Sequence, residues 1–182
     1  MGTGPTGNVV YPKWKQALVQ EAQANKSLDQ TDVNNAVYCA LLNVGTPTQA
    51  LGYTYSAAHQ FYTDLLMAPT VGSGHELAVF NGPFPQSNPG PLDKQITTPT
   101  VNIGAGTFPG PVFDGDDSTF LQVTTTAGGF VTVDALVLYR RNAGLNSTWR
   151  LIYYCDTGAG FPVQPNGGNI TINWNAAGIF ML

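Results

Sequence analysis

A chain of 182 residues is long enough for one domain with a real hydrophobic core, needing neither metals nor disulfides. It is 43% hydrophobic and 11% aromatic, which excludes disorder. Only 10% of residues are charged, against roughly 25% in ordinary soluble domains, so Thr, Asn, Gln and Gly make up the polar surface, which suits contact with other protein. The net charge is −4 with seven Lys and Arg, and no basic run occurs beyond the pair Arg140 and Arg141, which excludes the clustered positive footprint of a nucleic-acid binder.

Met1 to Val10 is Gly- and Thr-rich and is expected to be an extended N-terminal arm, ahead of a single domain over 11–182. Its opening, "MGTGPTGNVV", lacks the charged start and apolar block of a secretory signal, and no run reaches the roughly 20 apolar residues of a membrane span. Gly2 and Thr6 meet a loose myristoylation pattern, but Pro5 and the missing polybasic signal make it a chance match. Tyr11 and Pro12 open a helix, with Trp14, Ala17, Leu18, Glu21 and Ala22 at helical spacing and Asn25 as its stop. Ala36 to Leu42 is apolar on both faces and reads as an inner strand. A second short helix is expected after Ser56, with Ala58, Phe61, Tyr62 and Leu65 as its apolar stripe and Pro69 as its end.

The stretch 82–111 holds seven of the thirteen prolines and five glycines and reads as a long loop, with Val101 and Ile103 marking one short strand in it. Long irregular loops in compact domains are uncommon and usually functional. From Val112 the pattern is β to the end. "PVFDGDDSTFLQV" reads as strand, acidic hairpin turn, strand; "GFVTVDALVLYRR" and "TWRLIYYC" alternate over their length. "NITINW" alternates Ile170, Ile172 and Trp174 against Thr171 and Asn173, and with the terminal "IFML" it is expected to form a β-hairpin whose last strand completes a sheet. The fold class expected is therefore α+β: a mainly antiparallel β-sandwich with two short helices in the N-terminal third.

Residues that carry chemistry are few. "DGDDSTF" from Asp114 spaces carboxylates like a calcium loop, but Thr119 stands where such a loop needs glycine and Thr125 where it needs glutamate. His59 and His75 are sixteen residues apart and do not make a metal site, and "GSGHE" at Gly72 to Glu76 matches neither a nucleophile elbow nor a zinc motif. Cys39 and Cys155 both lie in apolar stretches and are expected to be buried free thiols. Trp149, Tyr153 and Tyr154 offer a sugar-stacking platform if exposed on one strand. No catalytic residue, cofactor or metal is expected.

Several of these segments together resemble a group of tailed-bacteriophage virion structural proteins: "PVFDGDDSTF", "VDALVLYRR" followed by "WRLIYYCDTG", "GFPVQPNGGNITINW" and the terminal "GIFML". "YPKWKQALVQ", "VYCALLNV" and "YSAAHQFYTDL" fit the same group, so the likeness covers most of the chain apart from the proline-rich loop. The resemblance implies a virion component, on the capsid or the tail. The function expected is non-enzymatic, a capsid decoration or cement protein on the outer surface of the head, made in the bacterial host cytoplasm. A tail or fibre-associated protein and a carbohydrate-binding adhesin are the alternatives. Its partners would be the major capsid protein and sister copies in a homo-oligomer, a trimer among the options, with neither nucleic acid nor membrane. The candidate contacts are the loop residues Pro83, Phe84, Pro85, Pro89, Pro91, Leu92, Ile96 and Phe108 and the arm residues Val9 and Val10, because apolar side chains on exposed segments call for a covering partner. The competing expectation is that the loop packs across its own sheet and caps an open edge.

Overall fold

In the computed structural model, residues 7–20, 28–32, 34–42, 53–65, 93–103, 110–121, 123, 132–158 and 160–181 are described. The strands with the strongest sequence signals pair with one another. β1 (Val9–Val10) is followed by the helix α1 (Pro12–Gln20), then β2 (Val37–Leu42), β3 (Lys94–Gln95), β4 (Thr100–Ile103), β5 (Pro111–Asp114), β6 (Ser118–Phe120), β7 (Ala135–Arg140), β8 (Arg150–Cys155), β9 (Ile170–Ile172) and β10 (Phe180–Met181). A five-stranded antiparallel sheet runs β1-β8-β7-β2-β3. β7 lies at its centre, in unbroken register with β2 from Val37↔Arg140 to Leu42↔Ala135. Its register with β8 shifts between Leu138 and Tyr139.

Every residue of β2 and β7 is buried, so both faces of this sheet are covered. On one face Tyr139 packs 4.7 Å from the Tyr62 ring, and Tyr154 packs 5.9 Å from Tyr53 and 5.2 Å from Tyr55. On the other, Tyr153 stacks at 5.3 Å on Phe180 of β10. α1 starts as the sequence implies: Pro12 needs no donor there, and the Tyr11 carbonyl accepts from the Trp14 and Lys15 amides. It buries Trp14 and Ala17, while the expected stop at Asn25 lies outside the described residues.

Three expectations are corrected. The second helix is, over the described residues, a turn at Ala57–Ala58 followed by a four-residue 3₁₀ segment, Tyr62–Leu65. The Gln60 carbonyl accepts from Leu151, and Tyr62 donates to the Trp149 carbonyl, so strand-like pairing with the start of β8 straightens the backbone that the helical spacing would coil. The Asp64 carboxylate then accepts from the Gln60 and Phe61 amides and caps the 3₁₀ turn.

The acidic stretch is a corner rather than a hairpin turn: β5 joins a three-stranded sheet, β10-β5-β4, and β6 pairs with β9 alone. Gly115 makes this corner, since a Cβ there would lie 2.3 Å from Ile96 Cγ2. Asp116 donates its amide to the Thr97 carbonyl and accepts from the Thr98 hydroxyl; Asp117 accepts from the Trp174 amide. The C-terminal hairpin is likewise absent. β9 and β10 separate at the same place, one pairing with the strand after the corner and one with the strand before it. The last strand does complete a sheet, but the three-stranded one.

The arm and the loop fall only partly within the described residues. Residues 1–6 lie outside them, while Gly7 donates to Asp156, Asn8 accepts from the Thr157 hydroxyl, and β1 pairs with β8, so residues 7–10 are extended and joined to the five-stranded sheet. Of the stretch 82–111, residues 82–92 and 104–109 are outside the described residues. Between 93 and 103 lie β3 and the expected short strand, β4, joined by a bend.

Candidate interaction site

Of the candidate contact residues, Pro83, Phe84, Pro85, Pro89, Pro91, Leu92 and Phe108 lie outside the described residues. Ile96 is wholly buried: its amide donates to the Val37 carbonyl, and its side chain fills the space that Gly115 leaves open. It is a core residue and is withdrawn as an exposed contact. Val9 and Val10 are half-buried in an edge strand. The sugar platform is not assembled, because Tyr153 and Tyr154 are 7% and 1% exposed. They are successive strand residues and point to opposite faces, each inside its own aromatic layer.

What the fold does bring together is a cluster at the end of the tyrosine-lined face. Arg141 follows β7, two residues beyond Tyr139 and on its side of the sheet, and Tyr38 is the partner of Tyr139 on β2. The Arg141 guanidinium carbon sits 4.2 Å from the Tyr38 ring centroid and 4.4 Å from that of Trp149, a cation held between two π-faces. Its Nη2 donates to the Asp93 carboxylate at 2.8 Å, the one ion pair among the described residues. The same Asp93 oxygen accepts from the Tyr139 hydroxyl. Trp149 stacks on Tyr139 at 10° between planes, and Tyr62 packs edge-on against Trp149.

The Asp93 side chain is 7% exposed and that of Arg141 is 25% exposed. On Asp93, burial raises the pKa by more than the Tyr139 hydrogen bond and the Arg141 charge lower it. On Arg141, burial lowers the pKa and the nearby Asp93 charge raises it, and there the pairing prevails. Both pKa values go up, which favours the charged arginine and disfavours the charged carboxylate, the more deeply buried of the two. A buried pair of this kind adds little net stability, yet losing one partner strands a charge. Its effect is to fix where Asp93 sits.

Beside the cluster the β7–β8 loop is tied down by Asn142, whose Oδ1 accepts from the Gly144 amide and the Thr148 hydroxyl and whose Nδ2 donates to the Thr148 carbonyl. The Trp149 indole N–H donates to the Asn142 and Gly144 carbonyls, and Leu145 is left 77% exposed at the tip. Further along the face, a buried chain of hydroxyls runs from Tyr11 to Tyr53 at 2.8 Å and from Tyr53 to His59 Nδ1 at 2.8 Å. Burial raises Tyr11 and Tyr53 and lowers His59, with Asp64 opposing the last shift.

Tyr38, Asp93 and Arg141 escaped the sequence reading of the site. One signal was present: Arg141 ends an apolar run in a charge-poor chain, where a partly buried arginine calls for a counter-charge. Cys39 and Cys155 are both free and buried, and burial pushes both thiols up. Set against protein-family models, curated proteins and solved structures, the chain matches none.

Proposed function

We propose that this chain is a non-enzymatic structural protein of a tailed-bacteriophage virion, a decoration protein that binds the outer surface of the capsid and stiffens it. The observation that supports this reading most is the composition of the stretch 82–111, which carries Phe84, Leu92 and four prolines between 83 and 91. A contact segment borne on a rigid scaffold is the usual placing of a binding loop, and proline lowers the entropy lost when such a segment is ordered at an interface. The sequence resemblance and the charge-poor surface agree with it. We include in the proposal that the five- and three-stranded sheets stack as a sandwich, which the Tyr153–Phe180 contact supports. Bound copies, assembled with one another and with the major capsid protein, stabilise the shell by mass action.

The test replaces Pro83 to Pro91 with a Gly-Ser linker and compares melting with binding to purified heads that lack the protein. Unchanged melting with lost binding supports the reading, and undiminished binding removes the segment from the interface. The molar ratio to the major capsid protein in purified particles separates head from tail: a few copies per particle assign the chain to the tail.

A further inference from the structure

Three side chains of the tyrosine-lined face form one hydrogen-bonded row that begins in the core and ends near the surface. The Tyr11 hydroxyl lies 2.8 Å from that of Tyr53, which in turn lies 2.8 Å from His59 Nδ1. Tyr11 and Tyr53 are 0% and 1% exposed, whereas His59 is half-buried. Tyr11 stands at the junction of β1 and α1 and fastens it through its backbone: its amide donates to the Ile152 carbonyl of β8, and its carbonyl accepts from the Trp14 and Lys15 amides. Each hydroxyl has one proton to donate. With His59 neutral and Nδ1 accepting, Tyr53 donates to His59 and Tyr11 donates to Tyr53, so each proton finds an acceptor. Burial dominates both tyrosine pKa values, and beside it the bond between them works to raise Tyr11 and to lower Tyr53, as for a donor and its acceptor.

We propose that Tyr11, Tyr53 and His59 form a proton-operated latch: neutral His59 keeps Tyr11, and with it the junction of β1 and α1, fastened to the tyrosine-lined face, and protonation of His59 loosens that junction. A protonated imidazole carries hydrogen on both nitrogens and no longer accepts. Tyr53 then receives from His59 instead of donating to it. If the Tyr53 proton turns to Tyr11, the Tyr11 proton loses its acceptor at a wholly buried site; if it turns elsewhere, one oxygen has to serve both His59 and Tyr11. Either way the Tyr11–Tyr53 link weakens, and a buried donor deprived of its acceptor carries a desolvation cost. Among the described residues, Tyr55 packs on Tyr11, Tyr154 of β8 packs on Tyr53, and Asp156 beyond β8 acts on Tyr154. From α1, Lys13 turns to Gln16 and Lys15 is exposed, and from the 3₁₀ turn Asp64 is the charge that acts on His59. Burial lowers the His59 pKa against the opposing pull of Asp64, and an opened junction returns it toward the ordinary 6.5, so the open form gains as pH falls below 6.5. β1 is an edge strand, and its half-buried Val9 and Val10 are the side chains that the latch releases.

The experiment is native-state hydrogen exchange of the full chain at about pH 7.5 and about pH 5, read as protection factors so that the intrinsic pH dependence of exchange is removed. The amides of Tyr11, Trp14 and Lys15 report the junction, and those of Val137 and Leu138 report the central strand. In the parent, junction protection is expected to fall about tenfold from the higher to the lower pH and to lie below that of the central strand. His59→Asn, whose amide oxygen can take the place of Nδ1 but does not titrate, should hold its junction protection across the same range. Tyr11→Phe keeps the ring and removes the buried end of the row, so its junction should be weaker at the higher pH and fall less on acidification. A parent junction no more sensitive to pH than that of His59→Asn would overturn the latch. So would a fall in Tyr11→Phe as large as in the parent, which places the effect of His59 outside the row. Junction protection equal to that of Val137 and Leu138 in the parent at the lower pH would overturn it too, because the junction then opens only with the whole molecule.

Discussion

Substituting Gly178 by alanine probes how the last strand is held. Gly178 has φ of 112°, outside the regions open to residues with a side chain. A Cβ there would lie 2.0 Å from Val112 Cγ1, 3.5 Å from Val112 Cβ and 3.2 Å from the Phe113 carbonyl oxygen. Backbone strain of this sort costs about 1–3 kcal/mol, and forcing a methyl into a filled space costs roughly another 1–3 kcal/mol. Relief by releasing β10 would expose Ile179 and Phe180, now 9% and 6% exposed, with Phe180 packed against Phe113 and Tyr153. That release costs about 1.5–3 kcal/mol per side chain, so it sets a ceiling of roughly 3–6 kcal/mol. Gly178→Ala should therefore lose about 2–6 kcal/mol, a large part of a domain's usual net stability of roughly 5–15 kcal/mol. At about 2–4 °C per kcal/mol for a chain of this size, Tm should fall by roughly 4–24 °C in a thermal melt. Repeating the change in a Val112→Ala background separates the two causes: the clash with Cγ1 disappears and the backbone strain remains, so the loss should shrink to about 1–3 kcal/mol. A Tm for Gly178→Ala equal to that of the parent would refute the close approach of the final strand to β5.

Cys39 and Cys155 should both be reduced, react slowly with a thiol reagent in the native protein and react fast after denaturation, since burial disfavours both thiolates. An intact mass two hydrogens short of the reduced value, restored by reductant, would contradict this. His59 should make stability fall on mild acidification. Its folded pKa lies below the ordinary 6.5, so its share of stability is complete above pH 6.5 and is lost as pH falls from there through the folded value. Denaturant melts from pH 7 to 5 should show the loss in the parent and in His75→Gln and a flatter profile in His59→Gln. Equal profiles in all three would exclude the role given to His59.

How much of this protein can be read from its sequence depends on the range of the interactions involved. The apolar runs of β2 and β7, the alternation of β8 and β9 and the start of α1 at Pro12 are local patterns, and the structure keeps them. The pairing of β7 with its chain neighbour β8 was not among the expectations, and the hairpin that was expected of β9 and β10 does not form. β5 and β6 are also chain neighbours, yet they part at Gly115, because Ile96 from a distant strand occupies the inside of that corner. The periodicity after Ser56 was a helix signal, and pairing of Gln60 to Tyr62 with the residues around Arg150 overrode it.

The cluster around Arg141 shows the same division at the candidate site. Alternation along the run that ends in Arg140 and Arg141 puts Arg141 on the side of Tyr139. Which carboxylate and which rings would meet it was settled by tertiary structure, since Tyr38, Asp93 and Trp149 come from three separate stretches of the chain. Sequence period fixes the face a side chain takes, because it follows from backbone geometry within a few residues. The neighbour across the sheet or across the core depends on loop closure and packing over tens of residues, which no local pattern encodes.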